Sequence, residues 1–270
     1  MRKSLIKKVE TYVQDRGIPI LGAARAEQLN CRAPEGFRPQ DMMPGAKSVL
    51  IFAKPLPQAV FQTPGNLDNM FYTRSACTYY QLMDNIANAV CLMLEGAGYL
   101  SLPIPAYSPL RFFQGEPRGL MSLKHAAALA GIGKIGKNTL LIHPEAGNVL
   151  RLGGLITTME WPVGDPADMD HICPDGCRRC EDACPVGALK NGTINKVRCL
   201  GTCIKHTLLP PVWMLSFMKG IVGRSRMLTR FMELFSLNFF EIYGIGCAEC
   251  LKACIHFPGS RGDKAVKHQE

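Results

Sequence analysis

A single short run of four cysteines constrains this chain more than any other feature of its sequence. The run places Cys173, Cys177, Cys180 and Cys184 close together, and Pro185 follows the last of them directly. Thiolates in a run of this kind, closed by Cys-Pro, are typical ligands of [4Fe–4S] clusters, and the fourth cysteine of such a run binds a neighbouring cluster. The first cluster would then have only three of its four thiolate ligands from this run. The run therefore predicts two clusters and further cysteine ligands elsewhere in the chain.

The missing ligands stand downstream of the first run. A second group contains Cys247, Cys250 and Cys254, and Cys199 lies between the two groups. In bacterial ferredoxins each run of cysteines contributes a ligand to the cluster of the other run. The same crossover predicts the following ligands: Cys173, Cys177, Cys180 and Cys254 for cluster one, and Cys184, Cys199, Cys247 and Cys250 for cluster two.

Structural zinc is the alternative, because paired C-x2-C knuckles also hold that ion. Zinc leaves the Cys-Pro ending and the spacing before it unexplained. Two features depart from the ferredoxin pattern: three residues rather than two separate Cys173 from Cys177, and Ile255 rather than proline follows Cys254. Cys203 is left over from both sets, and it could compete with Cys173 for cluster one.

The composition predicts a globular protein with an acidic or anionic partner. Hydrophobic residues make up 47% of the 270 residues, enough for a core well beyond a bare cluster module. The formal net charge of +9 suits nucleic acid, an anionic cofactor, an acidic electron donor or a membrane surface. The basic residues are scattered rather than grouped, which argues against nucleic acid.

Cysteine usage and the pattern of apolar residues predict a cytoplasmic protein. Cluster-type spacing favours a reducing compartment over disulfides. The sequence has no recognisable signal peptide and no uninterrupted apolar run of the length that spans a bilayer. Cys31, Cys77 and Cys91 have no metal-like spacing, so we expect them to be buried as small hydrophobic residues.

Helical and strand patterns alternate before the first cysteine run. Apolar residues at helical spacing predict helices over residues 4–16, 78–96 and 122–130. Short apolar runs predict strands over residues 48–53, 99–104, 140–142 and 152–159. This order indicates an α/β layered domain.

The domain organisation follows from these patterns. We predict an α/β domain over residues 1–165, a double-cluster domain over 166–260 and a flexible tail over 261–270. Within the second domain, residues 186–195 are expected to form a short helix and turn. The Met- and Phe-rich insertion at 204–246 predicts a helical hairpin, with a lid, a docking face or a membrane-surface helix as the alternative.

A glycine-rich segment imitates two nucleotide-binding motifs. Gly131, Gly133 and Gly136 spell G-x-G-x-x-G, and Asn138 stands where a P-loop has Ser or Thr. Both motifs require strand, loop and helix in that order, so that phosphate meets a helix N-terminus. The predicted order here is helix, loop and strand, which excludes both. The glycines still permit close approach to a flat ligand, with a plain tight turn and solvated lysines as the alternative.

The segment from Lys124 to Gly147 resembles the glycine-loop signature of the epoxyqueuosine reductase family, and Arg198-Cys199 resembles that family's isolated cluster ligand. The resemblance covers most of residues 1–204 and 244–258. It implies an α/β (α+β) fold, with a nitroreductase-like cobalamin-binding domain followed by a ferredoxin-like domain whose two [4Fe–4S] clusters pass electrons to the corrinoid. The corrin pocket would be lined by Gly133, Lys134, Ile135, Gly136, Lys137, Asn138 and Thr139.

Two departures from the family pattern shape the expected function. The sequence ends soon after Cys254, where tRNA-modifying members carry helical repeats, so the resemblance implies a short paralogue and tRNA is not an expected partner. The family's catalytic Asp has no match, which leaves Glu116 and Tyr107 as candidate proton donors.

The expected protein is therefore a cobalamin- and iron–sulfur-dependent reductase. A ferredoxin- or flavodoxin-type protein would donate electrons at low potential, and a small molecule or a corrinoid protein would receive them. A corrinoid-free electron-transfer module and a tRNA epoxyqueuosine reductase are the alternatives.

Overall fold

A computed structural model of the chain describes residues 2–63, 67–164, 172–203, 225, 227–230 and 246–258. Most of the Met- and Phe-rich insertion and the whole predicted tail lie outside these residues.

The described residues contain two longer helices together with shorter helices and strands. The α-helices are α1 (Arg2–Asp15), α2 (Ala26–Asn30), α3 (Pro39–Met42), α4 (Leu67–Glu95), α5 (Leu123–Leu129), α6 (Arg179–Asp182), α7 (Lys196–Cys203) and α8 (Glu249–Lys252). The strands are β1 (Ile20–Arg25), β2 (Ser48–Pro55), β3 (Ser101–Ile104), β4 (Leu110–Phe113), β5 (Glu116–Gly119), β6 (Lys134–Ile135), β7 (Leu141–Ile142), β8 (Leu150–Thr157), β9 (Leu189–Lys190) and β10 (Thr193–Ile194). None of the described helices is long and apolar enough to cross a membrane.

A four-stranded sheet in the order β1-β2-β8-β3 forms the centre of the first domain. Every neighbouring pair in this sheet is antiparallel, so the sheet is of the α+β kind. Alternate residues of β2 face opposite sides of the sheet. Leu50 and Phe52 pack against α1 and α4, whereas Val49 and Ile51 pack against α5. The sheet is thus buried between two layers of helices.

The segment that carries the second cysteine group packs against this first domain. Phe257 meets Phe61 edge-on, with ring centroids 5.3 Å apart. Leu251 is buried in the same hydrophobic cluster, and its carbonyl oxygen accepts a hydrogen bond of 2.9 Å from the buried Asn148 side chain. These contacts fix Cys250 and Cys254 relative to the start of β8.

Most of the predicted elements are confirmed, with one clear error. The predicted helices correspond to α1, α4 and α5, although α4 begins earlier than expected, and the predicted strands correspond to β2, β3, β7 and β8. Residues 186–195 form the β9–β10 hairpin rather than a helix. Asn191 and Gly192, both at positive φ, make its two-residue turn, and Asn-Gly is the preferred sequence for such a turn.

The three cysteines outside the clusters were expected to be buried, and this is only partly correct. Cys91 is buried among α4 residues, Cys77 is half-buried, and Cys31 is exposed. Cys31 follows the short helix α2 directly, at the surface, which explains the error.

Candidate functional site

The first predicted set of cysteines is brought together from two distant parts of the chain. Cys173 and Cys177 precede α6, Cys180 lies within it, and Cys254 follows α8. Burial raises the pKa of Cys254, and the charges of Cys173, Cys180 and Cys177 raise it further. Because such effects require proximity, the four thiols lie close to one another. The main-chain N–H of His256 donates a hydrogen bond to the Cys254 sulfur, as amides around cluster sulfurs do.

The second predicted set is also assembled in the structure. Burial raises the pKa of Cys250 to about 12, with smaller contributions from Cys247 and Cys184. A hydrogen bond with Cys203 and burial raise the pKa of Cys199, on α7, and the charges of Cys250 and Cys247 raise it further. The Cys184 sulfur accepts a hydrogen bond of 3.2 Å from the Ala188 N–H. The thiols of the two cysteine runs therefore lie near one another, and their division into two crossed sets stays a prediction.

The leftover Cys203 belongs with the second set, so the expectation that it could compete with Cys173 is wrong. Cys203 stands one helical turn after Cys199 on α7. A hydrogen bond from Cys199 and others from the N–H groups of Gly246 and Cys247 lower the pKa of Cys203 below its ordinary value. Any competition for a ligand position would therefore be with Cys199, in cluster two.

The spacing of the thiols bears on the choice between zinc and a cluster. Tetrahedral zinc needs four sulfurs within about 2.3 Å of one point. Within the part of the chain that the structure describes, no three His, Cys, Asp or Glu side chains converge in a way that could hold one metal ion. The positions of the thiols therefore select neither metal, and clusters are favoured by the Cys-Pro ending and the spacing of the first run.

The glycines of the loop after α5 are explained by its own hairpin. A Cβ on Gly133 would clash with the Ile142 carbonyl oxygen, and one on Gly136 would lie 2.5 Å from the Ile142 Cδ1. Gly133 is therefore needed for β6 to pack on β7, whereas a side chain at position 136 would require the Ile142 side chain to shift. The tight-turn alternative accounts for them without a ligand.

The loop nevertheless contacts the first cysteine run. The Lys137 N–H donates a hydrogen bond of 3.3 Å to the Cys173 sulfur. The Lys137 ammonium lies 3.4 Å from the carbonyl oxygens of Pro174 and Cys177. Lys137 is thus not a freely solvated lysine, and the loop contacts the first cysteine run directly.

Lys137 should tune the reduction potential of cluster one. A nearby positive charge stabilises the reduced, more negative cluster, so Lys137→Met should shift that potential to a more negative value. The main-chain donor to Cys173 remains in this variant, which isolates the effect of the charge. A spectroelectrochemical titration measures the shift, and Lys7→Met, on the exposed face of α1, is the matched control. Identical potentials in Lys137→Met and wild type would contradict the prediction.

Asn138 carries the one loop group that fits a bound cofactor. The residue is only 3% exposed, and its Oδ1 accepts a hydrogen bond of 3.0 Å from the Leu140 N–H. Its Nδ2 is buried without a hydrogen-bond partner among the described residues. Because a buried donor without an acceptor is unfavourable, this amide fits an incoming carboxamide oxygen, of which a corrin has several. The next residue, Thr139, is held by a 2.7 Å hydrogen bond from Lys124 to its carbonyl oxygen.

The two candidate proton donors lie in different surroundings. Tyr107 stacks on Tyr80, with ring centroids 5.2 Å apart, and burial raises its pKa well above the ordinary value. Glu116, at the start of β5, lies 3.7 Å from the Lys196 ammonium on α7. Tyr107 therefore remains a neutral phenol at neutral pH, whereas Glu116 is ion-paired.

Sequence reasoning missed a buried arginine beside Tyr72 and Tyr80. Arg151 on β8 is 8% exposed and donates hydrogen bonds to the Tyr72 hydroxyl and, at 3.0 Å, to the Leu150 carbonyl oxygen. Its guanidinium also lies over the ring of Tyr80. In the described parts of the chain no carboxylate pairs with it, and its Nε is unsatisfied. The signal was a single cation within an otherwise apolar strand.

Tyr72→Phe should lower the free energy of unfolding by about 1–3 kcal/mol at neutral pH, because the buried Arg151 loses its side-chain acceptor. Burial raises the pKa of Tyr72 from 10.0 to about 12. As pH rises from 10 to 12 the unfolded tyrosine ionises before the folded one, so wild type should lose about 1.4 kcal/mol per pH unit through this group.

Urea unfolding at pH 7 to 12 measures the free energy of unfolding of wild type and of Tyr72→Phe. The difference between these two free energies should narrow above pH 10. Tyr12→Phe, on α1, is the matched control. A difference that stays constant up to pH 12 would contradict the prediction.

Comparison with known proteins relates the chain to one group of reductases. No protein-family model matches it. An epoxyqueuosine reductase of Bacillus cereus is 30% identical over 169 residues, which cover 60% of this chain and 41% of that protein. The chain thus spans about two fifths of the length of this curated relative. The predicted resemblance to epoxyqueuosine reductases is confirmed.

Solved structures show the same fold. An epoxyqueuosine reductase crystallised with an epoxyqueuosine-modified tRNA stem loop matches with a TM-score of 0.63 and 19% identity, over 96% of this chain and 66% of that one. A reductive dehalogenase whose structure suggests a mechanism for B12-dependent dehalogenation matches with a TM-score of 0.54 and 13% identity, over 84% and 35%. These matches confirm the predicted fold class. The expectation against tRNA finds no support, because one matched structure contains a tRNA stem loop.

Proposed function

We propose that this relative of the epoxyqueuosine reductases is a reductase that passes electrons through two [4Fe–4S] clusters to a corrinoid. The single observation that carries the proposal is the hydrogen bond from Lys137, in the glycine loop, to Cys173 in the first cysteine run. It joins the loop that would hold the corrinoid to a ligand of cluster one. Cluster one would therefore be the cluster next to the corrinoid, and cluster two would receive electrons first.

The crossed cysteine sets would hold the two clusters side by side. The first set comprises Cys173, Cys177, Cys180 and Cys254, and the second comprises Cys184, Cys199, Cys247 and Cys250. Main-chain N–H groups from the loop, from Ala188 and from His256 would set the cluster potentials, since such hydrogen bonds stabilise charge on the sulfurs. A ferredoxin- or flavodoxin-type donor supplies electrons at a sufficiently low potential for this chemistry.

The first domain would bind the corrinoid and supply a proton. The free amide hydrogen of Asn138 would donate to a carboxamide of the corrin. A bound corrinoid supplies a strongly reducing metal centre. Tyr107, kept neutral by burial, is a candidate proton donor to the reduced substrate, and Glu116 is the other.

Anaerobic reconstitution tests this proposal. The full chain is supplied with iron, sulfide and hydroxocobalamin, passed through gel filtration and analysed for metals and for its visible spectrum. We expect about eight irons per chain and about one retained cobalamin. Asn138→Ala should weaken cobalamin retention, and Asn88→Ala, exposed on α4, should not. Eight irons without cobalamin would indicate a corrinoid-free electron-transfer module, and bound zinc would refute the clusters.

A tRNA epoxyqueuosine reductase is the second candidate, favoured by the matched structure that contains a tRNA stem loop. Expression of this chain in a strain that lacks its own epoxyqueuosine reductase separates the two. Restored queuosine in tRNA would establish the second candidate, and unchanged epoxyqueuosine would leave a different substrate.

A further inference from the structure

A basic cavity opens where the β4–β5 hairpin meets the start of α5. Its volume is about 360 Å³, and Leu29, Phe37 and Met121 form its apolar wall. It adjoins a second cavity of about 210 Å³ that shares Leu29 with it and reaches Ile135 in the glycine loop. The two neighbouring cavities thus lie between the β4–β5 hairpin and the proposed corrinoid loop.

Positive charge is concentrated on this cavity. Arg32, Arg118, Lys124 and Lys196 line the larger part, and Lys134 lines the smaller one. Among the described residues that line either part there is no carboxylate, although the Glu116 carboxylate lies 3.7 Å from the Lys196 ammonium and offsets its charge. The pKa of Lys124 is lowered by burial and further by the charge of Lys196, which shows how closely these cations approach one another.

Arg118 is held in place to receive an anion. Its guanidinium lies 5.0 Å from the centre of the Phe113 ring and 6.0 Å from that of Phe37. The Nε is buried, and the described residues offer it no hydrogen-bond acceptor. A guanidinium fixed on aromatic rings loses little entropy when it binds, and its planar fork matches a carboxylate or a phosphate.

We propose that this cavity binds the substrate, a small molecule with a carboxylate or phosphate group on an apolar body. The volume lies within the range of small-molecule sites, which combine apolar walls with a few polar groups. A concave, partly apolar site suits a small molecule better than a nucleic-acid backbone, whose phosphates contact exposed basic surfaces. The role as substrate pocket depends on the proposed reductase function, whereas the binding of the anion does not.

Calorimetric titration of the reconstituted protein tests the proposal. The probes are 4-bromobenzoate and phenyl phosphate, with the neutral 4-bromobenzamide for comparison. We expect at least one of the two anions to bind at least about tenfold more tightly than the amide, as one added charged hydrogen bond provides. Arg118→Met should remove this preference and Arg118→Lys should restore part of it. Arg16→Met, in the turn after α1, should leave this preference unchanged.

Two further measurements keep the outcome clear. Arg32→Met should also weaken anion binding. Because Arg32 is exposed, this variant should fold, so the test still has an outcome if an Arg118 variant misfolds. Equal affinity for acid and amide, or anion binding unaffected by both substitutions, would overturn the proposal. An RNA stem loop is the alternative ligand of the cavity. Tight, salt-sensitive binding of such a stem loop, weakened by both Arg118→Met and Arg32→Met, would overturn the small-molecule proposal in favour of RNA. If the wild-type protein binds the anion but does not retain cobalamin, that result would refute only the reductase function.

Discussion

Cys254→Ala is expected to remove cluster one and to leave cluster two in place, so that iron falls from about eight to about four per chain. The reason is the crossed assignment, in which Cys254 completes the set of Cys173, Cys177 and Cys180 although Cys250 is its neighbour in sequence. A substitution in the second cysteine run should therefore have the same effect as Cys173→Ala in the first. Iron analysis and electron paramagnetic resonance of the reduced protein measure both.

The reciprocal variant is Cys184→Ala, which should remove cluster two although it lies in the first run. The spectrum that remains in Cys184→Ala should differ from the one that remains in Cys254→Ala, and the variants Cys173→Ala and Cys254→Ala should share one spectrum. Cys31→Ala, at an exposed position, is the control and should keep about eight irons. Matching spectra in Cys173→Ala and Cys184→Ala would show that the two sets are not crossed.

Gly147→Ala is expected to detach the second cysteine segment from the first domain. Gly147 has a φ of +67°, and a Cβ there would clash with the carbonyl oxygen of His256. The strain of positive φ costs about 1–2 kcal/mol and the overpacking about 1–3 kcal/mol, so the free energy of unfolding should fall by about 2–5 kcal/mol in total. Because Cys254 lies just before His256, cluster one should be lost as well.

Gly98→Ala separates the two causes. Gly98 also has a positive φ of +89°, but no atom lies within 4 Å of its added Cβ. That variant should lose only about 1–2 kcal/mol and should retain all its iron. Urea unfolding and iron analysis compare the two. Equal destabilisation in both variants, or full iron content in Gly147→Ala, would contradict the proposed contact between Gly147 and the cluster-one segment.

The candidate cluster cysteines could be named from sequence because ligand spacing is a local property, whereas their division into two crossed sets stays a prediction. The elements α1, α5 and β2 could be predicted for a similar reason, since the helices have apolar residues at helical spacing and β2 is a continuous apolar run. The β9–β10 hairpin was predictable in principle, because Asn191-Gly192 is a strong turn signal. It was missed because the position after Cys-Pro was taken to specify a helix.

Other features depend on contacts between distant residues and could not be predicted from local patterns. The requirement for glycine at position 133 arises from a carbonyl oxygen on β7, which no motif records. Arg151 lies near Tyr72 only because α4 packs across β8. The basic cavity similarly combines residues from α2, β5, α5 and α7, and its charge is invisible in a sequence whose basic residues are scattered.

The rate at which a retained corrinoid is reduced tests the central claim most directly. Wild type and Cys254→Ala are loaded with cobalamin to the same occupancy and mixed anaerobically with a reduced flavodoxin, and the corrinoid absorbance is followed by stopped flow. If cluster one delivers the electrons, reduction in Cys254→Ala should be at least about tenfold slower, which corresponds to about 1.4 kcal/mol in the barrier. Equal rates in the two proteins would show that electrons reach the corrinoid without cluster one.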